Sequence, residues 1–456
     1  MGALAMTSTA AVLTSISLLI GVAAGMSAAA EKDRVGHLPG QPAGELPLMH
    51  FSGYVGGGAA AARHFFYYFV KHDGSARPAE EAPLIVWVSS GRFCSAVGYG
   101  GMLEVGPLRV QADLTLRLNE YSWHKEANVL FVDLPAGVGF SYSNKNLTAG
   151  EATSGNQIAR EAVSFLQGWT KKFPEHRFNE MFLLGEGFGA HHAVRLALHA
   201  TREPSLLAGL PPLKGLLLGN PEMDLESTFE GFVDYLTING MMGKAGRDKV
   251  LRACVLKSPL DCATAMHQEA IGLAVYISAI KEPLCTAAAR PSSKYLWYDP
   301  CSENYLEQYL QLPAVQQALH ANSSGRVPGP WHICSKALSP GLVPPGSEKP
   351  TWIIDALKEL VGKGDSLKLA VYHGDENARP PVTSTKYCLA KVFNHTDPAE
   401  FGHWKDSNGD VGGYTSVYMG RKNNVTFSTV RGSGGYVGSY QPLRARDLLR
   451  RFLGAP

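Results

Sequence analysis

The sequence has almost no excess charge: 42 Lys and Arg stand against 40 Asp and Glu, a formal net charge of +2. That balance gives a polyanion little to hold, and no nucleic-acid partner is expected. The basic residues are scattered. Their one short cluster, Arg444 to Arg451, reads as the solvated face of a terminal helix. The chain has no internal repeat and no low-complexity segment. Beyond Ala30, no stretch reaches the roughly 20 apolar residues of a membrane-spanning helix. Met1 to Thr9 contains no Lys or Arg. That gap matters because Ala10 to Gly25 is apolar or small and uncharged, and Ser27-Ala28-Ala29-Ala30 precedes the charged Glu31-Lys32-Asp33-Arg34. Residues 1–30 are therefore expected to be a secretory signal peptide, with an uncleaved anchor as the alternative. After cleavage no membrane contact is expected.

What is present suits a large folded domain. The chain has 456 residues, of which 45% are hydrophobic, enough for a sizeable core. Continuous apolar runs at Pro83 to Val88, Ala127 to Asp133, Met181 to Leu184 and Leu213 to Pro221 read as buried parallel strands. The aromatic run His64 to Val70 is also β-prone. Helical spacing over Thr153 to Phe173 and Ala190 to Leu198 alternates with these strands, as in βαβ units. From about Met223 to Pro345 the pattern changes to helical stretches, Phe229 to Met242 and Pro313 to Ala321, mixed with cysteines. Residues 223–345 are expected to be a cap inserted into a single domain spanning 31–456. Strands return at Leu367 to Tyr372 and Asn424 to Val430, and a last helix is expected from about Leu443 to Leu453.

Seven cysteines and four N-x-S/T sequons, at Asn146, Asn322, Asn394 and Asn424, agree with secretion and glycosylation. The expected destination is the extracellular space or a lysosomal or vacuolar lumen. The reading calls for no cofactor and no metal.

One stretch organises the rest. Met181 to Leu184 runs into Gly185-Glu186-Gly187-Phe188-Gly189, and a helix follows. This is the frame of a nucleophile elbow, G-x-S-x-G, with Gly187 where the serine would stand. Other blocks extend the match: Asp33 to Gly40, Phe51-Ser52-Gly53-Tyr54, Tyr121 to Trp123, Ala127 to Tyr142, Phe173-Pro174-Glu175, Lys214 to Pro221, and Arg431 to Pro442. Together they resemble the serine carboxypeptidases, over nearly the whole chain after the leader. The resemblance implies an α/β-hydrolase fold, with a mostly parallel sheet, helices on both faces and a helical, disulfide-bearing cap.

The resemblance also assigns positions. The family elbow G-E-S-Y-A-G places its serine at Gly187. Its G-D-x-D acid falls at Asn377, and its R-G-A-G-H histidine falls at Gly435. The block N-G-G-P-G-C-S appears as Ser89 to Ser95. Gly91 and Phe188 are then the oxyanion-donor positions. Ser89 and Glu186 are the substrate-carboxylate positions, with serine in place of asparagine at Ser89. Arg92 and Phe93 replace a proline and a glycine, and Arg92 stands either as an ion-pair partner of Glu186 or as an anion site. Catalysis of this type needs nucleophile, base and orienting acid together. Without them only binding and the oxyanion hole remain, on the order of 10³ to 10⁴ over water.

The expectation is a catalytically dead homologue that binds a peptide, a small anionic ligand or a protein partner. The alternatives are hydrolysis through a rewired site, using His191 or the His373 and Asp375 pair, and a purely structural subunit. The resemblance pairs Cys94 with Cys334. Cys254, Cys262, Cys285 and Cys301 allow three pairings, with Cys254–Cys262 and Cys285–Cys301 preferred. Cys388 is left over as a buried apolar residue.

Overall fold

Aromatic and β-branched residues dominate the first strands, and in the computed structural model they are buried on both sides. In the strand Arg63–Val70, Phe65, Tyr67 and Phe69 join one core cluster while Phe66, Tyr68 and Val70 join another. Successive side chains of a strand point to opposite faces, so a strand covered on both faces reads as a continuous apolar run with no alternation. The structure describes residues 26–44, 48–57, 62–91, 93–145, 155–256, 259–286, 299–327, 329–338, 352–363 and 366–454. The leader as far as Gly25, the sequon at Asn146 and the candidate anion residue Arg92 lie outside them.

The strands are β1 (His50–Gly57), β2 (Arg63–Val70), β3 (Leu84–Ser90), β4 (Leu108–Val110), β5 (Leu116–Leu118), β6 (Asn128–Val132) and β7 (Tyr142–Ser143) in the first part. They continue as β8 (Met181–Glu186), β9 (Leu213–Gly219), β10 (Lys368–Gly374), β11 (Glu400–Lys405), β12 (Val411–Tyr418) and β13 (Val425–Val430). The main sheet runs β1-β2-β6-β3-β8-β9-β10-β13-β12-β11. From β6 to β13 neighbours are parallel, and both ends of the sheet are antiparallel. This is the α/β-hydrolase fold, with helices such as Gly155–Lys172 and Gly189–Arg202 packed on the sheet. The hairpin of β11 and β12 is an addition to the sequence reading. Glu400 to His403 are exposed, so no buried face patterns that strand.

Between β9 and β10 lie the helices Leu225–Ile238, Lys244–Leu256, Pro259–Gly272, Ser302–Gln311, Pro313–Ala318 and Trp352–Gly362. The sequence reading had no element for the second, third, fourth and sixth of these. Disulfides join Cys94 to Cys334, Cys254 to Cys262 and Cys285 to Cys301, and Cys388 is buried and free. The basic run of the last helix, Pro442–Leu453, needs correcting. Arg444 bonds Asp406 at 2.9 Å and Arg446 bonds Glu126 at 2.6 Å. These arginines fasten the helix to neighbouring loops instead of forming a solvated face. Asn394 and Asn424 are exposed, whereas Asn322 is half-buried with its side-chain oxygen accepting from the Val327 N–H.

At the end of β6, Asp133 organises the approach to the site. Its carboxylate accepts from the Ser95 hydroxyl at 2.7 Å, the Val97 N–H at 3.2 Å and the Phe140 N–H at 3.1 Å. Burial raises its pKa to about 6 despite these donors. Asp133→Ala would leave three donors buried without a partner, and we expect a loss of about 3 kcal/mol of stability in chemical denaturation.

Candidate functional site

Strand β8 delivers the elbow. Glu186 ends the strand, Gly187 turns at φ 57°, and the helix begins at Gly189. The apolar residues of β8 fix the strand in the middle of the sheet, between β3 and β9. The Gly187 N–H donates to the Gly219 carbonyl at 2.9 Å and its carbonyl accepts from Glu222 at 3.1 Å. A Cβ at position 187 would lie 3.4 Å from the Gly91 Cα, an ordinary contact. The elbow and the loop after β3 therefore face each other with room for a side chain. The positive φ is the remaining obstacle to one.

The other two predicted positions also meet here. Asn377 follows β10, and Gly435 lies in the loop between β13 and the last helix. A Cβ on Gly435 would sit 3.2 Å from the Asn377 side-chain nitrogen. Asn220, just after β9, links everything. Its amide nitrogen is 2.8 Å from a Glu186 oxygen and 2.7 Å from the Gly435 carbonyl. Its oxygen accepts from the Gly374 N–H at 3.0 Å and the Asn377 amide at 3.3 Å. Asn220 holds φ 39° to do so, and sequence reasoning assigned it no role.

Glu186 is buried, and its second oxygen accepts from the Tyr372 hydroxyl at 2.6 Å. Burial raises its pKa from 4.5 to about 7 against the pull of these two hydrogen bonds. Glu104 lies close enough to feel it: burial first, then the Glu186 carboxylate, pushes Glu104 well above the usual carboxylate range. Two acids in one dry pocket cannot both ionise cheaply. Sequence reasoning passed over Glu104. The available signal was a lone carboxylate in the apolar, glycine-rich run Val97 to Gly106, since such a residue is almost never buried without a reason. Ser89, beside the pocket, is fully buried, and its hydroxyl has no partner among the described residues.

The remaining candidates are engaged elsewhere. The Gly91 N–H, expected to be free for an oxyanion, donates to the Glu186 carbonyl at 3.0 Å. An oxyanion would have to displace that bond. Phe188 starts the elbow helix and stacks on His191 at 4.5 Å. A ring nitrogen of His191 lies 2.7 Å from the Glu222 carbonyl. Asp375 accepts from the Gly432 N–H at 2.8 Å and the Ser433 N–H at 3.3 Å. His373 is buried, contacts the Gly374 carbonyl at 2.9 Å, and has its pKa lowered to about 4 by burial. Phe93 is buried at φ 56° against Phe188 and His192. It packs into the core beside the elbow helix. Among the described residues no group of His, Cys, Asp or Glu is placed to hold a metal ion, and no helix is long and apolar enough to cross a membrane.

A side chain at position 187 must adopt the left-handed region, which costs an L-residue roughly 1–2 kcal/mol. We expect Gly187→Ser to lower stability by about that amount. An unchanged melting temperature would show that the turn carries no such penalty.

Comparison with known proteins agrees with this architecture. The family model described as serine carboxypeptidase matches residues 39–455. The chain is 35% identical over 438 residues to serine carboxypeptidase-like 40 of Arabidopsis thaliana, covering 93% of this chain and 82% of that protein. It is 32% identical over 454 residues to serine carboxypeptidase-like 26 of Oryza sativa subsp. japonica, covering 93% and 90%. Among solved structures, a prohormone-processing carboxypeptidase of Saccharomyces cerevisiae, Kex1(delta)p, superimposes with a TM-score of 0.72. That match has 18% identity and covers 93% and 96% of the two chains, a likeness of fold. By this profile and these relatives, the chain belongs to the serine carboxypeptidase family.

Proposed function

We propose that this protein is a catalytically inactive member of its family that binds the carboxylate end of a peptide or small anionic ligand. One observation carries the reading. The three positions that would supply hydroxyl, acid and imidazole hold Gly187, Asn377 and Gly435, and Asn220 links the last two to the buried acid Glu186 that precedes the first. Glycine offers neither a nucleophile nor a base, and an asparagine cannot orient an imidazole as a carboxylate does. The bond from the Gly91 N–H to the Glu186 carbonyl weighs in the same direction. The helices between β9 and β10 serve as the cap over this site. Three disulfides suit an oxidising compartment, and we place the protein in the secretory route, secreted or in a lysosomal or vacuolar lumen.

A library of blocked dipeptides tests inactivity directly. The unaltered protein is expected to release no C-terminal residue at acidic or neutral pH. The comparison is a Gly187→Ser, Asn377→Asp, Gly435→His variant. Hydrolysis by the unaltered protein would overturn the proposal.

Binding should depend on the proton of Glu186. With its pKa raised to about 7 by burial, the group is protonated and can donate to a ligand carboxylate at acidic pH. It becomes an anion that repels that carboxylate as pH rises through about 7. Titration calorimetry with an N-acetylated dipeptide should show affinity falling about ten-fold or more between pH 5 and pH 8.5. Glu186→Gln, neutral throughout, should flatten that dependence.

A further inference from the structure

A segment leaving the helix Pro259–Gly272 is laid directly onto the positions described above. The Gly435 N–H donates to the Ser278 carbonyl at 2.7 Å. On the acid-bearing loop, the Ile280 N–H donates to the Glu376 carbonyl at 2.9 Å and the Ala378 N–H to the Ile277 carbonyl at 3.0 Å. Three backbone bonds thus clamp the segment across the residues on both sides of Asn377 and onto Gly435 itself. Two side chains anchor its ends. The Tyr276 hydroxyl donates to Glu303 at 2.7 Å, and Lys281 bonds Glu376 at 2.6 Å. Ala279 between them is fully buried.

The approach depends on the absence of side chains beneath it. A Cβ on Gly434 would come within 2.4 Å of the Ser278 carbonyl oxygen and 2.5 Å of the Ala279 Cβ. A Cβ on Gly435 would instead meet the Asn377 side chain. It is Gly434 that lets this loop receive a strand of backbone. The segment also closes on itself, with the Glu282 N–H donating to the Ala279 carbonyl at 2.8 Å and the Ala279 N–H to the Tyr276 carbonyl at 2.8 Å. Lifting it as a unit would break the three backbone bonds and both anchors and withdraw Ala279, Ile277 and Ile280 from their apolar contacts.

We infer that residues Tyr276 to Lys281 form a displaceable strap that closes the elbow site, so that a ligand enters only when the strap lifts from Gly435 and the Glu376–Ala378 loop. The gating of ligand rests on the binding role proposed above, whereas the lifting of the strap does not. A closed fraction lowers apparent affinity by the fraction of open molecules. Weakening the anchors therefore raises it.

The test uses a reporter under the strap. Gly435→Cys is placed in the full chain, with and without Tyr276→Phe and Lys281→Ala, and its alkylation by iodoacetamide is timed. The chain lacking Gly435→Cys supplies the background from Cys388. With the anchors intact the thiol should be protected. Without them it should react about ten-fold faster or more, the effect of losing two hydrogen bonds to carboxylates, one of them made by an exposed lysine. Equal rates in folded variants, checked by melting temperature, would overturn the strap. A second arm measures the N-acetylated dipeptide on chains without the cysteine. Tighter binding after anchor loss is expected, and faster alkylation with unchanged affinity would overturn gating. Failure of the dipeptide to bind any variant would overturn both gating and the proposed ligand, with alkylation alone still deciding whether the strap lifts.

Discussion

The amide of Asn220 is the interaction on which the site depends. It reaches β8 through Glu186, β10 through Gly374, the acid-position loop through Asn377 and the last loop through Gly435. A carboxamide can do this because it offers two donors and an acceptor with two lone pairs. It does so from a left-handed backbone, which a non-glycine residue holds only when its surroundings over-determine it. Four such bonds provide that surplus. Without a charged dyad at positions 377 and 435, neutral amides and backbone carry the geometry, and they do so without any charge to desolvate.

Charge survives one layer deeper, and its cost explains the behaviour of the pocket. Glu186 and Glu104 are both buried in a space too dry for two anions. The Arg109 guanidinium, buried beside Glu104, offsets part of that cost. Here the Tyr372 hydroxyl and the Asn220 amide hold Glu186 in position. At acidic pH burial keeps Glu186 protonated beside an elbow without a hydroxyl. The loop above is equally firm. Cys94 is tied to Cys334, and the flanking bonds Ser95 N–H to Ile333 and Ser335 N–H to Phe93 make a short antiparallel bridge around the disulfide.

Local sequence determined the elements with a sharp physical signature. Unalternated apolar runs marked β3, β6, β8 and β9, because strands buried on both faces must be apolar throughout. Glycine spacing marked the elbow, because Cβ atoms at positions 185 and 189 would meet backbone at 2.3 and 2.4 Å, and block order gave the family, the fold and the Cys94–Cys334 pair, with the other two disulfides preferred among three pairings. The resemblance assigned the hydroxyl, acid and imidazole positions to Gly187, Asn377 and Gly435. The β11 hairpin was not legible, because its first strand is exposed and carries no buried face, nor were the helices Lys244–Leu256 and Pro259–Gly272; the pairing of Arg444 and Arg446 was not, since Asp406 and Glu126 lie 38 and 320 residues away. Tertiary structure alone decided that Asn220 links four segments, that Glu104 shares a pocket with Glu186, and that the Gly91 N–H is already engaged. It also decided that Ser278 lies on Gly435. The physical reason is the same in each case: a hydrogen bond or a pKa shift belongs to a pair, and sequence names only one member of the pair at a time.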